Sequence, residues 1–462
     1  MSIIAADLAE LERMGAGLSP LDGRYRALMA PLRQHFSEFA LMRARVAVEV
    51  HHALALDPIF GILTDVERQR ALDVVGNFIN DDYTNIKSLE TSLRHDVKAC
   101  EVFLRSRCGF DNPNRLHFGL TSEDVNNLAW SICARDYVQQ VQVPQWRTIL
   151  ISLTNLAERW SKTPMPARTH GQHATPTTAG KELAVFLGRL LPLFAALKAH
   201  RFAGKLNGAT GNYAAMVAAA PQVDWREHER RLVESLGFER NPVTTQIEDA
   251  GSMGRWFDLT RAANNVLIDA CRDIWLYISC GYIRQRAVAG EVGSSTMPHK
   301  VNPIRFENAE GNLELSRALL VFMGDKLAQS RMQRDLSAST VMRNVGVAFG
   351  HHHLALHEIL NGLDMIDVDA PFCHAELQAH PELLSEAAQT VLRTLRGDDV
   401  YTLLKDATRG KVFALSDWHA LLADLPNEVR SRLLDLTPAT YIGDSVRICQ
   451  EVVASARAEV AA

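Results

Sequence analysis

The stretch Leu259-Thr-Arg-Ala-Ala-Asn-Asn-Val-Leu-Ile-Asp-Ala-Cys-Arg-Asp-Ile-Trp-Leu-Tyr-Ile278 decides the fold class. Its apolar residues Leu259, Ala263, Val266, Ala270, Ile274 and Tyr277 recur in steps of three and four, which is one face of an α-helix. From Ile274 to Ile278 the segment is apolar nearly all round, as in a helix inside a bundle or at a subunit interface. Working outward, Thr178 to Leu197 repeats the pattern with Leu183, Phe186, Leu187, Leu190 and Phe194. Phe306 to Leu327 is a third long candidate with no internal proline. Alternating strand patterns are scarce and hairpin dipeptides almost absent. An all-α fold is expected.

Three clusters of breakers interrupt these helices. Residues 109–118, around Asn112-Pro113-Asn114, read as a loop closing an N-terminal helical domain. Residues 163–176 carry Pro164, Pro166 and Pro176 and cannot be helical throughout. Residues 288–303 carry Gly290, Gly293, Pro298 and Pro303 and form a second loop between two long helical patterns. A further shift near Asp367 to Pro371 starts a C-terminal domain. Three helical domains are therefore expected: 1–117, 118–365 as a long-helix bundle, and 366–462. No internal repeat or low-complexity tract is visible.

The chain has 462 residues, 47% of them apolar and 22% charged, with a formal net charge of −5, the composition of an ordinary globular protein. A mildly acidic chain without a basic block gives no electrostatic case for nucleic acid or an anionic membrane. An anionic substrate would have to be held by local Arg and Lys. The seven cysteines include no pair at metal-ligand spacing, and buried free thiols fit better than a disulfide framework. Met1 to Leu18 does not read as a signal peptide, and no stretch is apolar for long enough to span a bilayer. A cytoplasmic protein is expected.

The strongest local signal is the loop Gly290-Glu-Val-Gly-Ser294-Ser295-Thr-Met-Pro-His-Lys300-Val301-Asn302-Pro303. Two hydroxyls follow a glycine, and a lysine and an asparagine arrive a few residues later. Such a loop can offer backbone N–H groups to an anion and act as a lid. Composition alone favours a plain connector holding a chance Ser-Ser pair.

The segment resembles the signature of the fumarase/aspartase superfamily, Gly-Ser-Ser-x-Met-Pro-x-Lys-x-Asn, at every fixed position. The resemblance extends over nearly the whole chain. Within the superfamily it is strongest to the longer bacterial enzymes that act on succinylated purine ribonucleotides. It is carried by Ser19-Pro-Leu-Asp-Gly-Arg24-Tyr25, His95-Asp96-Val-Lys98, Thr121-Ser122-Glu-Asp124, Thr169-His170-Gly-Gln172, Asn241-Pro-Val-Thr-Thr-Gln246-Ile-Glu248 and Gln333-Arg334-Asp-Leu-Ser-Ala-Ser339-Thr340-Val341-Met342-Arg343-Asn344.

What the resemblance implies is a β-elimination that releases fumarate from adenylosuccinate, giving AMP, and from succinylaminoimidazole carboxamide ribotide. A carbon acid next to a carboxylate is very weakly acidic, so the site needs a base, an acid on the opposite face, and a cationic clamp for the dianionic intermediate. By resemblance Ser294 is the base and His170 the acid. A serine alkoxide requires N–H donors and a nearby cation, which the glycine-bearing loop and Lys300 could supply. Lys300, Val301 and Asn302 would hold the dicarboxylate end with Ser295, Thr121 and Ser122, and Asn308 would support the loop. Arg24, Tyr25, Arg334, Ser339 and Arg343, with Thr340, Val341 and Met342 beside them, resemble the phosphate clamp, for which guanidinium groups are suited. Arg94, His95, Asp96, His117 and Gln246 complete the expected substrate contacts. No cofactor or metal is implied. By the same resemblance the chain forms a homotetramer whose active sites each draw on three subunits.

Against this stand plainer readings. Lys300 alone is an exposed loop lysine, and Arg334 and Arg343 alone are helix arginines paired with Asp335 and its neighbours. One histidine among 17 is usually structural. His173 stands where relatives often have proline, and Arg94 where they often have asparagine. The run His351-His352-His353 points in different directions on a helix and does not suit a metal. The run Leu93 to Leu104 reads as a helix with polar residues on one side, His95 and Asp96 among them. Other superfamily members (argininosuccinate lyase, fumarase, aspartase) and a non-catalytic relative of the same fold are the rivals.

Overall fold

A computed structural model describes residues 17–461, other than 62, 113, 115, 287–296, 298, 396–398, 409–414 and 424. The chain is all-α, with three short two-stranded sheets among the described residues. The three helices read from the sequence are present as Ala179–Ala199, Gly251–Ser279 and Ile304–Leu327. Among the described residues no helix is long and apolar enough to cross a membrane.

Contacts divide the chain into two compact units. The first comprises residues 1–145, 196–265 and 312–354. Here the helix Glu38–Phe60 packs on Asp65–Gly76, Asp96–Cys108 and Ser122–Tyr137. Its start is set by Ser37, whose hydroxyl accepts the Ala40 amide, and its end by Gly61 in the left-handed region. Val46, Val50 and Ala53 from this helix join Ala99, Cys100, Phe103 and Leu104 in one core cluster. A second focus is aromatic: Trp256 stacks on Phe349 with centroids 4.0 Å apart, and Tyr137 meets both rings edge-on. The helix Ser122–Tyr137 runs on through a π turn, Val138–Gln142, which carries the fully buried Gln142. That side chain is satisfied there, accepting from Trp256 Nε1 at 2.8 Å and donating to Thr260 Oγ1 at 2.9 Å.

The run Leu93 to Leu104 is not one helix. The helix Asn80–Leu93 stops at Arg94, in the left-handed region at φ 50°, and His95 is the N-cap of Asp96–Cys108. The break places Arg94 and His95 at a corner instead of on a helical face.

The second unit comprises residues 146–195, 266–311 and 355–462. Residues 163–176, read as a proline-broken turn, form part of an antiparallel hairpin of β1 (Pro164–Thr169) and β2 (Gln172–Thr178). The prolines are tolerated because a two-stranded ribbon has free edges. The helix Ala370–Gln378 packs on β1. Leu384, Ala388, Leu392, Leu404, Trp418 and Leu422 build a separate C-terminal cluster. The seven cysteines are free, and all but Cys280 are buried.

Candidate active site

The first unit contains a cavity of about 810 Å³ at the Arg94–His95 corner, within the usual range for a small-molecule site. Arg94, His95, Asp96, Ser122, Arg334, Ser339, Met342 and Arg343 all line it. Residues from three separated segments of sequence thus converge on one cavity.

Local geometry explains how. As an N-cap, His95 accepts the Lys98 amide at Nδ1 (3.2 Å), so the neutral ring carries its hydrogen on Nε2. That nitrogen lies 3.4 Å from Ser122 Oγ. Ser122 opens its own helix, and Thr121 is the N-cap, its amide donating to Asp124 Oδ2 at 2.7 Å. The other oxygen of Asp124 accepts from Lys205 Nζ at 2.9 Å and from the amides of Asn207 and Gly208. Asp124 and Lys205 are both fully buried. Such a buried ion pair depends on added hydrogen bonds of this kind, and Lys205 Nζ also donates to the Gly208 carbonyl at 3.2 Å.

A chain of polar contacts runs along the wall. Arg343 Nη2 approaches Asp96 Oδ2 at 3.6 Å, and Arg45 Nη2 holds the same oxygen at 2.7 Å. Arg45 Nε donates to Asn126 Oδ1, and Asn126 Nδ2 donates to Glu123 Oε1, both at 2.9 Å. Arg334 Nη2 pairs with that Glu123 oxygen at 2.8 Å and its Nη1 donates to Gln246 Oε1 at 3.3 Å. Burial alone would raise the Asp96 pKa, but the charge of Arg45, the Val97 amide and Arg343 together hold it below the usual carboxylate range. The partners of Arg334 and Arg343 come from other elements, and Arg334 and Asp335 precede the helix Ser337–Met342, so the local reading of these arginines as helix residues paired with Asp335 fails.

Glu248 also faces the cavity. Burial, with Asp249 adjacent, pushes its carboxyl up to about 7 although Asn241 Nδ2 and the Ala250 amide donate to it. The carboxylates Glu90, Asp96, Glu123, Glu248 and Asp335 face an equal number of cationic groups, Arg45, Lys87, Arg94, Arg334 and Arg343. The raised pKa of Glu248 shifts that balance toward the cations, which suits an anion.

The other expected residues fall as follows. Gln246 bonds Arg334 and the Ala209 carbonyl. Thr340 and Val341 share the short helix Ser337–Met342 with Ser339. Arg24 is exposed, its guanidinium 5.6 Å from the Tyr25 ring centre, and neither residue lines the cavity. His117, at φ 58°, does not line it either. Its Nδ1 lies 2.6 Å from Oε1 of the fully buried Glu49. Burial would lower the His117 pKa, but the hydrogen bond and charge of Glu49 outweigh this and raise it.

In the second unit His170 stands at the exposed tip of the hairpin. The two-residue turn His170-Gly171 has φ of 53° and 75°, the left-handed pair that a primed hairpin turn requires. Arg168 Nη1 braces it by donating to the Gly171 carbonyl at 2.9 Å. Lys300 and Val301 are exposed, Asn302 and Asn308 half-buried, and Asn308 lies near the start of Ile304–Leu327. Ser294 and Ser295 lie outside the described residues.

Sequence reading passed over Arg45, Lys87, Asn126, Trp130 and Glu248 as cavity-lining groups. For Arg45 a signal existed. Arg45, Glu49 and His52 recur at steps of four and three and are all buried in a helix whose other buried positions are mostly apolar.

Residues 23–317 match a family model described as Lyase, and residues 330–442 one described as Adenylosuccinate lyase C-terminal. The chain is 42% identical to adenylosuccinate lyase of Haemophilus influenzae over 94% of this chain and 98% of that protein. It is 43% identical to that of Legionella pneumophila (92% and 96%) and 40% identical to that of Escherichia coli (94% and 98%). Among solved structures, a fumarate lyase from Mesorhizobium sp. BNC1 superposes with TM-score 0.76 at 19% identity, covering 92% of this chain and 97% of that one. A 3-carboxy-cis,cis-muconate lactonizing enzyme from Pseudomonas putida superposes with TM-score 0.73 at 21% identity, covering 93% and 97%. These last two establish likeness of fold.

Proposed function

The chain belongs to the adenylosuccinate lyase family of the fumarase/aspartase superfamily, and from that premise we propose that it is a carbon–nitrogen lyase releasing fumarate from adenylosuccinate and from succinylaminoimidazole carboxamide ribotide. The observation that carries this reading is the convergence of Arg334, Arg343, Ser339, His95 and Ser122 on one cavity that five Arg and Lys side chains line. Guanidinium groups and hydroxyls are what a phosphate monoester needs, and fumarate-releasing relatives without a phosphate would have no use for them.

The reaction divides the labour among this chain's residues. Ser294, as alkoxide, takes the proton from the carbon beside a succinyl carboxylate. Lys300 and Asn302 bind that carboxylate, and the lysine stabilises the charge that develops on it. His170 donates a proton to the departing nitrogen from the opposite face, so the electron pair of the C–N bond leaves as a neutral amine. His95 donates from Nε2 toward bound substrate, with Ser122 beside it. Arg334 and Arg343 exchange their present carboxylate partners for phosphate.

The wider proposal has three parts. The chain is divided at 117/118 and 365/366, it acts in the cytoplasm on small molecules without nucleic acid or membrane, and it is a homotetramer with shared sites. The exposed Leu315 and Phe322, seven residues apart on Ile304–Leu327, support the last part as one apolar helix face.

The decisive assay follows ultraviolet absorbance as fumarate leaves adenylosuccinate or argininosuccinate. Turnover of argininosuccinate alone would overturn the substrate assignment. In the same assay Ser294→Ala should lose several orders of magnitude in rate, more than ~4 kcal/mol of barrier. A variant as fast as the parent removes Ser294 as base.

A further inference from the structure

His173 Nε2, Glu376 Oε1 and a ring nitrogen of His380 lie within 4.8 Å of one another in the second unit, beside the base of the hairpin tip. None of the three has a part in the elimination. We propose that they form a binding site for one divalent transition-metal ion of the zinc class.

The donor set comes first. Two imidazoles and one carboxylate suit Zn²⁺ and its neighbours, whereas Mg²⁺ and Ca²⁺ require oxygen cages. The separations fit as well. His173 Nε2 is 3.0 Å and His380 Nε2 is 3.9 Å from Glu376 Oε1. These values bracket the ~3.4 Å between ligand atoms around a tetrahedral ion at ~2.1 Å. The carriers are packed elements: His173 lies on β2, Glu376 on the helix Ala370–Gln378 that packs on β1, and His380 just past its end.

The outer contacts are also those of a ligand set. His380 Nδ1 lies 2.7 Å from Glu382 Oε1. The neutral ring therefore donates from Nδ1 to a carboxylate and presents the Nε2 lone pair to the cluster, the orientation a metal-bound histidine needs.

The contacts of His173 leave a conflict of donors and acceptors. His173 Nε2 is 3.0 Å from Arg168 Nη2 and 3.0 Å from Glu376 Oε1. A guanidinium only donates and a carboxylate only accepts, so one nitrogen cannot satisfy both. When Nε2 accepts from Arg168, its lone pair and a carboxylate oxygen face each other, and Arg168 Nη2 lies 3.7 Å from Glu376 Oε1. An incoming ion would take the place of that guanidinium. Arg168 would retain Tyr282 Oη, which both Nε (3.0 Å) and Nη2 (2.8 Å) already reach. The two rings, with centroids 3.9 Å apart and tilted by 37°, must splay by rotation about their side-chain torsions to point at one ion.

A consequence rests on the proposed role of His170. Arg168 braces the turn that carries His170 and pairs across the hairpin with His173. Pulling His173 toward Glu376 and displacing the guanidinium shifts that brace, so the ion should inhibit without competing with substrate.

The test uses the full chain stripped with EDTA. Zn²⁺ is titrated by calorimetry, and Co²⁺ is added as a spectroscopic probe. Expected are one ion per chain at affinity on the order of micromolar or tighter, visible bands of four-coordinate Co²⁺, and no uptake of Mg²⁺. His380→Ala and Glu376→Gln should each weaken binding by at least about tenfold, with metal-free melting curves close to the parent's. Arg168→Gln should bind Zn²⁺ more tightly. No binding at micromolar Zn²⁺, or His380→Ala binding as well as the parent, overturns the site. Binding without inhibition leaves the site standing and removes its coupling to the turn. Loss of fumarate release in the parent protein itself tells against the proposed reaction, not against the metal site.

Discussion

At the scale of single residues, the cavity is a set of paired charges. Arg334 and Arg343 are held by Glu123 and Asp96, carboxylates whose place phosphate oxygens take in the proposed complex. Arg334→Gln should raise KM for adenylosuccinate by about tenfold or more, ~1.4 kcal/mol, with a smaller effect on kcat, read from initial rates. Glu248 gives a pH signature. Its folded pKa of about 7 lies above that of an unfolded glutamate. Between those values the folded chain binds more protons than the unfolded one, so this group's contribution is complete at low pH and is lost as pH rises through about 7. Raising the pH from about 5 to about 8 should therefore cost the parent more stability than Glu248→Gln, as measured by denaturant titration at both pH values.

At the scale of elements, the site depends on where helices stop. Arg94 ends one helix and His95 begins the next, while Thr121 and Ser122 begin a third. The buried Asp124–Lys205 pair ties that third helix start to the segment 205–208. Removing one partner leaves a charge without compensation. Lys205→Met should destabilise the protein by about 3 to 5 kcal/mol, seen in thermal melting. The Thr121–Ser122 corner should loosen with it, so kcat should fall even at temperatures where the variant is folded. The hairpin shows the same dependence on endings, because His170 can occupy its tip only while Gly171 completes the left-handed pair.

At the scale of the whole molecule, the proposal is assembly with shared sites. If His170 and Ser294 of one site come from different chains, His170→Ala and Ser294→Ala proteins, each inactive, should regain a fraction of parental activity when mixed and allowed to exchange subunits. Light scattering should report four chains under the same conditions. Mixtures that stay inactive while subunits demonstrably exchange would show that both residues of a site belong to one chain. Dilution that dissociates the assembly should abolish turnover in step.

The sequence determined the helical class, the positions of the three long helices, and motifs in four of the five segments that line the cavity. It could do so because helical periodicity and short motifs are local properties, written in residues three to ten apart. What it left unread depends on contacts between distant residues. The strands at Pro164–Thr169 and Gln172–Thr178 have no alternating pattern, and their prolines argue against a sheet until the second strand is in place. The corner at Arg94 lies inside a run that is helical by composition, and only packing decides that one helix ends there. The partners of Arg334 and Arg343, the pairing of Lys205 with Asp124 and the convergence of His173 with Glu376 join residues 81 to 247 positions apart in the chain. Such pairings are decided by the tertiary structure alone, since burial and hydrogen-bond satisfaction are properties of the folded chain and not of any segment.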